Sequence, residues 1–245
     1  MQDWQYQPAR DVALQSGSAL NSMRREPGLF TTSLNCMIGM FTRQYLRVFH
    51  RCTFHGLENL PKVRPYILIA NHSSHLDAFV LTSALKASVR AITYPVVAGD
   101  HFFQTSWQSL LATRLLNALP IWRYQNCHRT LLEMRDKLLQ ENCCLIIFPE
   151  GTRSRTGEMA PFKAGLGMLV AGLPVPVVPC YLSGCFQALP PGKKMIRKGT
   201  IKLMIGPPLD FQHLQPNRQS WSAISQQCEQ AVHCLKESFQ KDFSR

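Results

Sequence analysis

The stretch IANHSSHLDAF, residues 69–79, carries two histidines and an aspartate within six positions. Three readings fit that spacing. His72, His75 and Asp77 could be ligands of a metal ion. His72 and Asp77 alone could be a general base and the carboxylate that orients it. Or the histidines could simply stand at a helix start. Five positions along a regular helix turn through roughly 500°, leaving the side chains of residues 72 and 77 about 140° apart. They meet only if His72 lies on the turn before the helix. NHSS suits such a turn, because Ser73 and Ser74 can satisfy first-turn amides. Asp77 would then accept from one ring nitrogen and leave the other free to take a proton from a hydroxyl. A carboxylate behind the ring also stabilises the imidazolium that forms, and the hydroxyl would belong to the substrate. The metal reading needs more ligands, and His101, His128, His213 and His233 stand alone in the chain.

A second loaded stretch is FPEGTRSRTGEMAPFKAG, residues 148–165. Pro149 ends an apolar run, and Glu150, Gly151, Thr152 and Arg153 follow as a polar turn. Arg153, Arg155 and Lys163 bring three cations among glycines 151, 157 and 165. Glycine lets backbone amides approach an anion, and arginine grips phosphate oxygens in pairs. A solvated loop is the plain alternative. Arg123, ending the apolar run LPIW, repeats the pattern of a cation placed directly after a strand.

Strands and helices alternate around these loops. Residues 66–70 read as a short buried strand, 76–85 as a helix, and 91–98 as a strand that Pro95 assigns to an edge or irregular position. Residues 119–123 are a third strand, 129–140 an amphipathic helix, and CCLIIF at 143–148 the clearest buried strand. A glycine-punctuated helix over 164–171 precedes the strand VPVVPCYL, and residues 200–205 alternate and close the sheet. Trp221, Ile224, Cys228, Val232, Leu235 and Phe239 recur every three or four residues, the mark of a helix docking on a core. The expected class is α/β: a single domain with a mixed, largely buried sheet flanked by helices. In such sheets, loops leaving the carboxyl ends of strands build the site, and both loaded loops leave strands at that end.

The chain has 245 residues, of which 45% are apolar, enough for a real core. Its nine cysteines are scattered, with no Cys-x-x-Cys pair and no secretory segment in the polar residues 1–27. A disulfide framework and a secreted protein are therefore not expected. The formal charge of +12 points to a polyanionic partner: nucleic acid, an anionic membrane or a phosphorylated substrate. No nucleic-acid-binding motif accompanies it. Residues 28–49 are too polar to span a bilayer, yet Phe30, Leu34, Met37, Phe41, Tyr45 and Val48 form one stripe. That stripe suits either an amphipathic helix lying on a membrane, its arginines toward lipid phosphates, or a helix packed on the core.

Taken together, these residues resemble the glycerolipid acyltransferase family, the group that contains lysophosphatidic acid acyltransferases. NHSSHLD is similar to its Asn-His-x4-Asp block and FPEGTRS to its Glu-Gly-Thr-Arg block. Arg123 in LPIWR matches the arginine of an intermediate block, and VPVVPCYL resembles the Pro-rich strand that follows. The four blocks occur in family order over roughly residues 55–210. One departure is Asn117, which stands where the family usually has a glycine six residues before that arginine.

The resemblance implies an O-acyltransferase that moves a fatty acyl group from a thioester to the hydroxyl of a lysophospholipid, first of all 1-acylglycerol-3-phosphate. His72 and Asp77 would be catalytic. Arg123, Glu150, Gly151, Thr152, Arg153 and Lys163 would bind substrate, Glu150 by holding a glycerol hydroxyl or by positioning Arg153. No metal or cofactor is expected, and acyl-CoA or an acyl carrier protein would be the co-substrate. The basic run Lys193, Lys194, Arg197 and Lys198 suits such a donor or an anionic lipid, and equally a solvated loop. The expected organisation is a polar segment over 1–27, a membrane-association region over 28–54 and an acyltransferase domain over 55–245. The expected location is the cytoplasmic face of a membrane, with a phospholipid surface and no nucleic acid as partner. Three alternatives remain open: another acceptor such as a lyso-aminolipid, a metal-dependent hydrolase using His72, His75 and Asp77, and a non-catalytic basic phospholipid- or nucleic-acid-binding protein.

Overall fold

The computed structural model describes residues 29–98, 118–121, 127–193 and 195–243. Seven strands form its sheet: β1 (Thr53–His55), β2 (Tyr66–Ala70), β3 (Thr93–Ala98), β4 (Leu119–Ile121), β5 (Cys144–Ile147), β6 (Val177–Ser183) and β7 (Lys202–Ile205). The helices, in chain order, are α1 (Leu29–Phe49), α2 (Leu76–Ala84), α3 (Ala87–Arg90), α4 (Cys127–Gln140), α5 (Gly165–Val170), α6 (Cys185–Ala188) and α7 (Arg218–Phe243). The strand order is β1-β7-β6-β2-β5-β3-β4, parallel except between β6 and β7, so the expected mixed sheet is present.

The central strands read as continuous apolar runs because helices cover both faces of the sheet. Side chains still alternate by period two. Tyr66, Leu68, Ala70, Cys144, Ile146, Val178, Cys180 and Leu182 face a layer containing α2, α6 and Leu46 of α1. Ile67, Ile69, Leu145 and Val177 face the opposite layer with α4, α5 and α7. Each fully buried aliphatic side chain here contributes about 1.5–3 kcal/mol relative to an exposed one. The expected α7 stripe is the docked face, with Ile224, Cys228 and Val232 at 0% exposure. α7 crosses α5 closely because of Gly167, where a Cβ would lie 2.1 Å from the Trp221 carbonyl oxygen.

Two expectations about strands change. Pro95 lies in an interior strand, since β3 has β5 on one side and β4 on the other. It is the last residue paired with β5, and Val96 is the first paired with β4, so the irregularity expected of proline falls at the switch of partners. The strand over residues 202–205 does not close the sheet, because β1 pairs beyond it. Three residues of β1 are too short to show a period, which is why the sequence concealed it. The segments 1–27 and 122–126, with Arg123, and also Asn117, His101 and Lys194, lie outside the described residues.

α1 packs against the α2 layer through Gly39, Arg43 and Leu46. The Arg90 guanidinium lies over Gly39. Arg43 donates from Nε to the Ser83 carbonyl at 2.7 Å and from Nη2 to the Leu85 carbonyl at 3.4 Å. Those are carbonyls that the end of α2 leaves without intrahelical partners. Of the two readings of this helix, membrane surface or core packing, Arg43 follows the second: it caps a helix rather than facing outward. Met37, Met40, Phe41, Tyr45 and Val48 stand on the other side of α1, each 40–64% exposed.

Candidate active site

β5 and β6 flank β2 in parallel, with Ile69 opposite Ile147 and Ala70 opposite Cys180. The chain segments after residues 70, 147 and 183 therefore emerge side by side. Asn71 extends the ladder: its Nδ2 donates to the Leu182 carbonyl at 3.0 Å, and its Oδ1 accepts from the Leu182 amide at 2.8 Å. Those two bonds hold the first residue after β2 against β6 and aim the next residue, His72, across β5.

His72 lies on the turn before α2, as the helical geometry required. Its Nδ1 donates to Asp77 Oδ2 at 2.9 Å. The same oxygen accepts the backbone amides of Ser73 at 2.7 Å and Ser74 at 2.8 Å. The expected serine capping is thus partly inverted: the acid of the first turn reaches back to the serine amides. Ser74 Oγ accepts from the Leu76 amide at 3.1 Å and donates to the Leu189 carbonyl at 2.8 Å, tying the turn to the end of α6. Three donors on one oxygen is the pattern of a carboxylate, and the N-terminal turn of α2 favours negative charge there. With Nδ1 donating, Nε2 of a neutral His72 is unprotonated and available as a base. The imidazole stacks on Phe148, centroids 4.0 Å apart and planes 15° apart, and its side chain keeps 18% of its surface exposed. Asp77 is buried, and its Oδ1 meets no partner in hydrogen-bond geometry among the described residues. The buried Cys185 thiol interacts with this carboxylate, and burial first, then the Asp77 charge, push the thiol well above its usual pKa.

The second loop clasps His72 through its backbone. The His72 amide donates to Glu150 Oε1 at 2.7 Å, and the His72 carbonyl accepts from the Ser154 amide at 2.8 Å. Glu150 Oε2 accepts from the Ala160 amide at 3.0 Å, and the residue is 3% exposed. Glu150 was expected to hold a substrate hydroxyl or to position Arg153. Its carboxylate joins the two loops, each oxygen accepting a backbone amide in a buried setting. Burial raises its pKa, and the bonds from Ala160 and His72 oppose the rise. In Glu150→Gln, one of the two backbone N–H groups must face an amide NH2. The expected loss of stability, read by urea or thermal melts, is about 1–3 kcal/mol; an unchanged transition would contradict the structural role.

Gly151 turns the chain with φ +73°, and its amide donates to the Phe148 carbonyl at 3.0 Å. A Cβ at Gly151 would lie 2.7 Å from Lys163 Nζ, so the glycine leaves room for that ammonium against the turn. The Lys163 amide bonds the Pro149 carbonyl, which returns the chain to the same place. Thr152, Arg155 and Lys163 are exposed and Arg153 is half-buried. Arg153 Nη1 donates to His75 Nε2 at 2.5 Å. Arg153, Lys163 and His72 are thus gathered at one end of the sheet, whereas the place of Arg123 lies outside the described residues.

His72, His75 and Asp77 do not form a ligand set. His72 Nδ1 is committed to Asp77 and His75 Nε2 to a cation, and no group of three or more His, Cys, Asp or Glu among the described residues is placed to hold a metal ion. Asn71 and Phe148 received no role in the site from their spacing, and His75 only that of a metal ligand, which the structure does not give it. For Asn71 the available signal was an amide directly after a buried strand; for the other two, only proximity in space reveals the contact.

Residues 51–183 match the model of the family described as Acyltransferase. The chain is 30% identical over 184 residues to the 1-acyl-sn-glycerol-3-phosphate acyltransferase of Bacillus subtilis, covering 73% of this chain and 85% of that one. It is also 30% identical over 174 residues to a chloroplastic 1-acyl-sn-glycerol-3-phosphate acyltransferase of Brassica napus, covering 66% of this chain and 46% of the plant protein. The chain thus spans about half the length of that plant relative and most of the bacterial one. The crystal structure of the 1-acyl-sn-glycerophosphate (LPA) acyltransferase from Thermotoga maritima superposes with a TM-score of 0.63 at 24% identity, over 84% of this chain and 82% of that one. That likeness concerns the fold.

Proposed function

This chain belongs to the acyltransferase family, and from that premise we propose that it transfers a fatty acyl group from a thioester to the free hydroxyl of 1-acylglycerol-3-phosphate, giving phosphatidic acid. The observation that carries the mechanism is the His72–Asp77 pair, with Nε2 of His72 left available at the mouth of a cationic loop. His72 Nε2 takes the proton of the acceptor hydroxyl as its oxygen attacks the thioester carbonyl. The new C–O bond forms, the C–S bond breaks, and the imidazolium returns its proton to the thiolate that leaves. Asp77 holds the tautomer and offsets the imidazolium charge. No acyl-enzyme is required, and the buried Cys185 is not a nucleophile in this reading.

Arg153 and Lys163 hold the acceptor phosphate, with Arg123 as a further cation. The donor is acyl-CoA or an acyl carrier protein, neither of which needs a bound cofactor. Residues 55–245 then form the transfer domain and 28–54 its membrane-association region. The exposed apolar side of α1 supports peripheral attachment to a phospholipid surface. No helix among the described residues is long and apolar enough to cross a membrane.

The reading is tested by supplying labelled acyl-CoA and acyl carrier protein thioesters with a panel of lysolipids in mixed micelles. Phosphatidic acid formation from 1-acylglycerol-3-phosphate is the expected result. Preferential acylation of a lyso-aminolipid would move the acceptor, and no product from any pair would overturn the activity. In the same assay Arg153→Ala should raise the acceptor KM about 10- to 100-fold while kcat changes little, the signature of lost uniform binding. An unchanged KM would remove Arg153 from the acceptor site.

A further inference from the structure

We propose that His75 is a positioning residue for acceptor recognition: its neutral imidazole fixes the Arg153 guanidinium beside His72 without cancelling its charge. This rests on the reading of Arg153 as a ligand of the acceptor phosphate. The contact is Arg153 Nη1 to His75 Nε2 at 2.5 Å. Arginine only donates, so Nε2 must be unprotonated and His75 neutral. The packing around the ring, then the Arg153 and His72 charges, lower its pKa to about 4, although part of the residue reaches the surface.

The choice of anchor has a consequence. A carboxylate would hold the guanidinium equally well, but it would neutralise the cation and compete with a phosphate for the same donors. Among the described residues no carboxylate pairs with Arg153. The charge that remains is directed at whatever anion enters. The anchor also belongs to the same turn as the base. His75 is the N-cap residue of α2 and makes no side-chain cap bond, while the Ser74 and Asp77 contacts pin that turn. The Ser154 amide, next to Arg153, is in turn bonded to the His72 carbonyl. One turn therefore sets the spacing between the base for the hydroxyl and the cation for the phosphate. An acceptor carrying both groups at that separation is selected over a neutral lysolipid.

Three substitutions at this surface position separate the elements of the proposal. His75→Phe keeps an aromatic ring and removes the acceptor; the acceptor KM should rise about tenfold, with kcat within about twofold of wild type. His75→Gln supplies a neutral carbonyl acceptor and should restore KM to within about threefold. His75→Glu should hold the guanidinium yet raise KM at least as much as phenylalanine does, because the charge is cancelled. In the His75→Phe/Arg153→Ala double variant, KM should be no higher than in Arg153→Ala alone. Equal KM values in wild type and His75→Phe overturn the inference, as does His75→Glu behaving like His75→Gln. If Arg153→Ala itself leaves KM unchanged, the phosphate role of Arg153 is what fails. If Arg153→Ala raises KM while His75→Phe does not, only the role of His75 fails.

Discussion

His72→Ala is expected to reduce turnover by about 10²–10⁴-fold, the usual contribution of a positioned general base, while the acceptor still binds. The structure makes this substitution a clean test. The bonds through which residue 72 joins the two loops use its amide and carbonyl, to Glu150 and Ser154, and alanine keeps both. What is lost is the imidazole, its bond to Asp77 and its stack on Phe148. Arg153 and Lys163 stay in place, so acceptor KM should move little. Thioester release followed in a single-turnover experiment checks the first point, and a binding titration with the acceptor checks the second. Retention of more than a few per cent of wild-type release would falsify the base assignment.

Asp77→Asn should produce a comparable loss of turnover, about 10²–10⁴-fold, but with a second signature that His72→Ala lacks. An amide at this position has two orientations. If its oxygen keeps the place of Oδ2, its NH2 group occupies the buried Oδ1 site, where no acceptor is provided among the described residues beyond the weak Cys185 sulfur. If it flips, NH2 faces the Ser73 and Ser74 amides, and His72 must turn its Nδ1 into an acceptor, placing the proton on Nε2 and removing the base. Either orientation also removes the negative charge that offsets the imidazolium. A buried polar group left without its partner costs about 1–3 kcal/mol, so the melting transition should drop as well as kcat. His72→Ala should melt closer to wild type. An Asp77→Asn protein with wild-type turnover would remove the carboxylate from the mechanism.

The expected contrast between these variants follows from how His72 is held: its side chain by Asp77 and Phe148, its backbone by Glu150 and Ser154. That division was not visible in the order of residues. The His-x4-Asp spacing restricted His72 to the turn before α2, since on a continuous helix the two side chains diverge. The glycines and cations of residues 148–165 left two readings open, an anion-binding loop and a solvated one. The family resemblance gave Glu150 a role in holding a substrate hydroxyl or positioning Arg153, and nothing in the order of residues showed its backbone partners. It is buried, and the amides that bury its charge come from residues 72 and 160, one of them 78 positions away. The metal reading likewise depended on His75 being available, and Arg153, again 78 positions away, occupies its Nε2.

What the sequence determined by itself was local. The buried strands at 66–70, 144–147 and 177–183, the long docked helix at the end, and the type of residue at each site position follow from period, from turn chemistry and from family-like blocks. Strand order was beyond it, because hydrophobic runs such as YILIA and CLII are interchangeable to any neighbour that buries both faces. Only the tertiary structure set β2 between β5 and β6, and with that the meeting of NHSSHLD and EGTR. The physical reason is that, while the His72–Asp77 bond is local, the bonds that join the two loops are long-range: the Glu150 carboxylate, the His75 imidazole and the His72 backbone each find a partner on another strand's loop. Their cost of burial is met only when the sheet has assembled in that order.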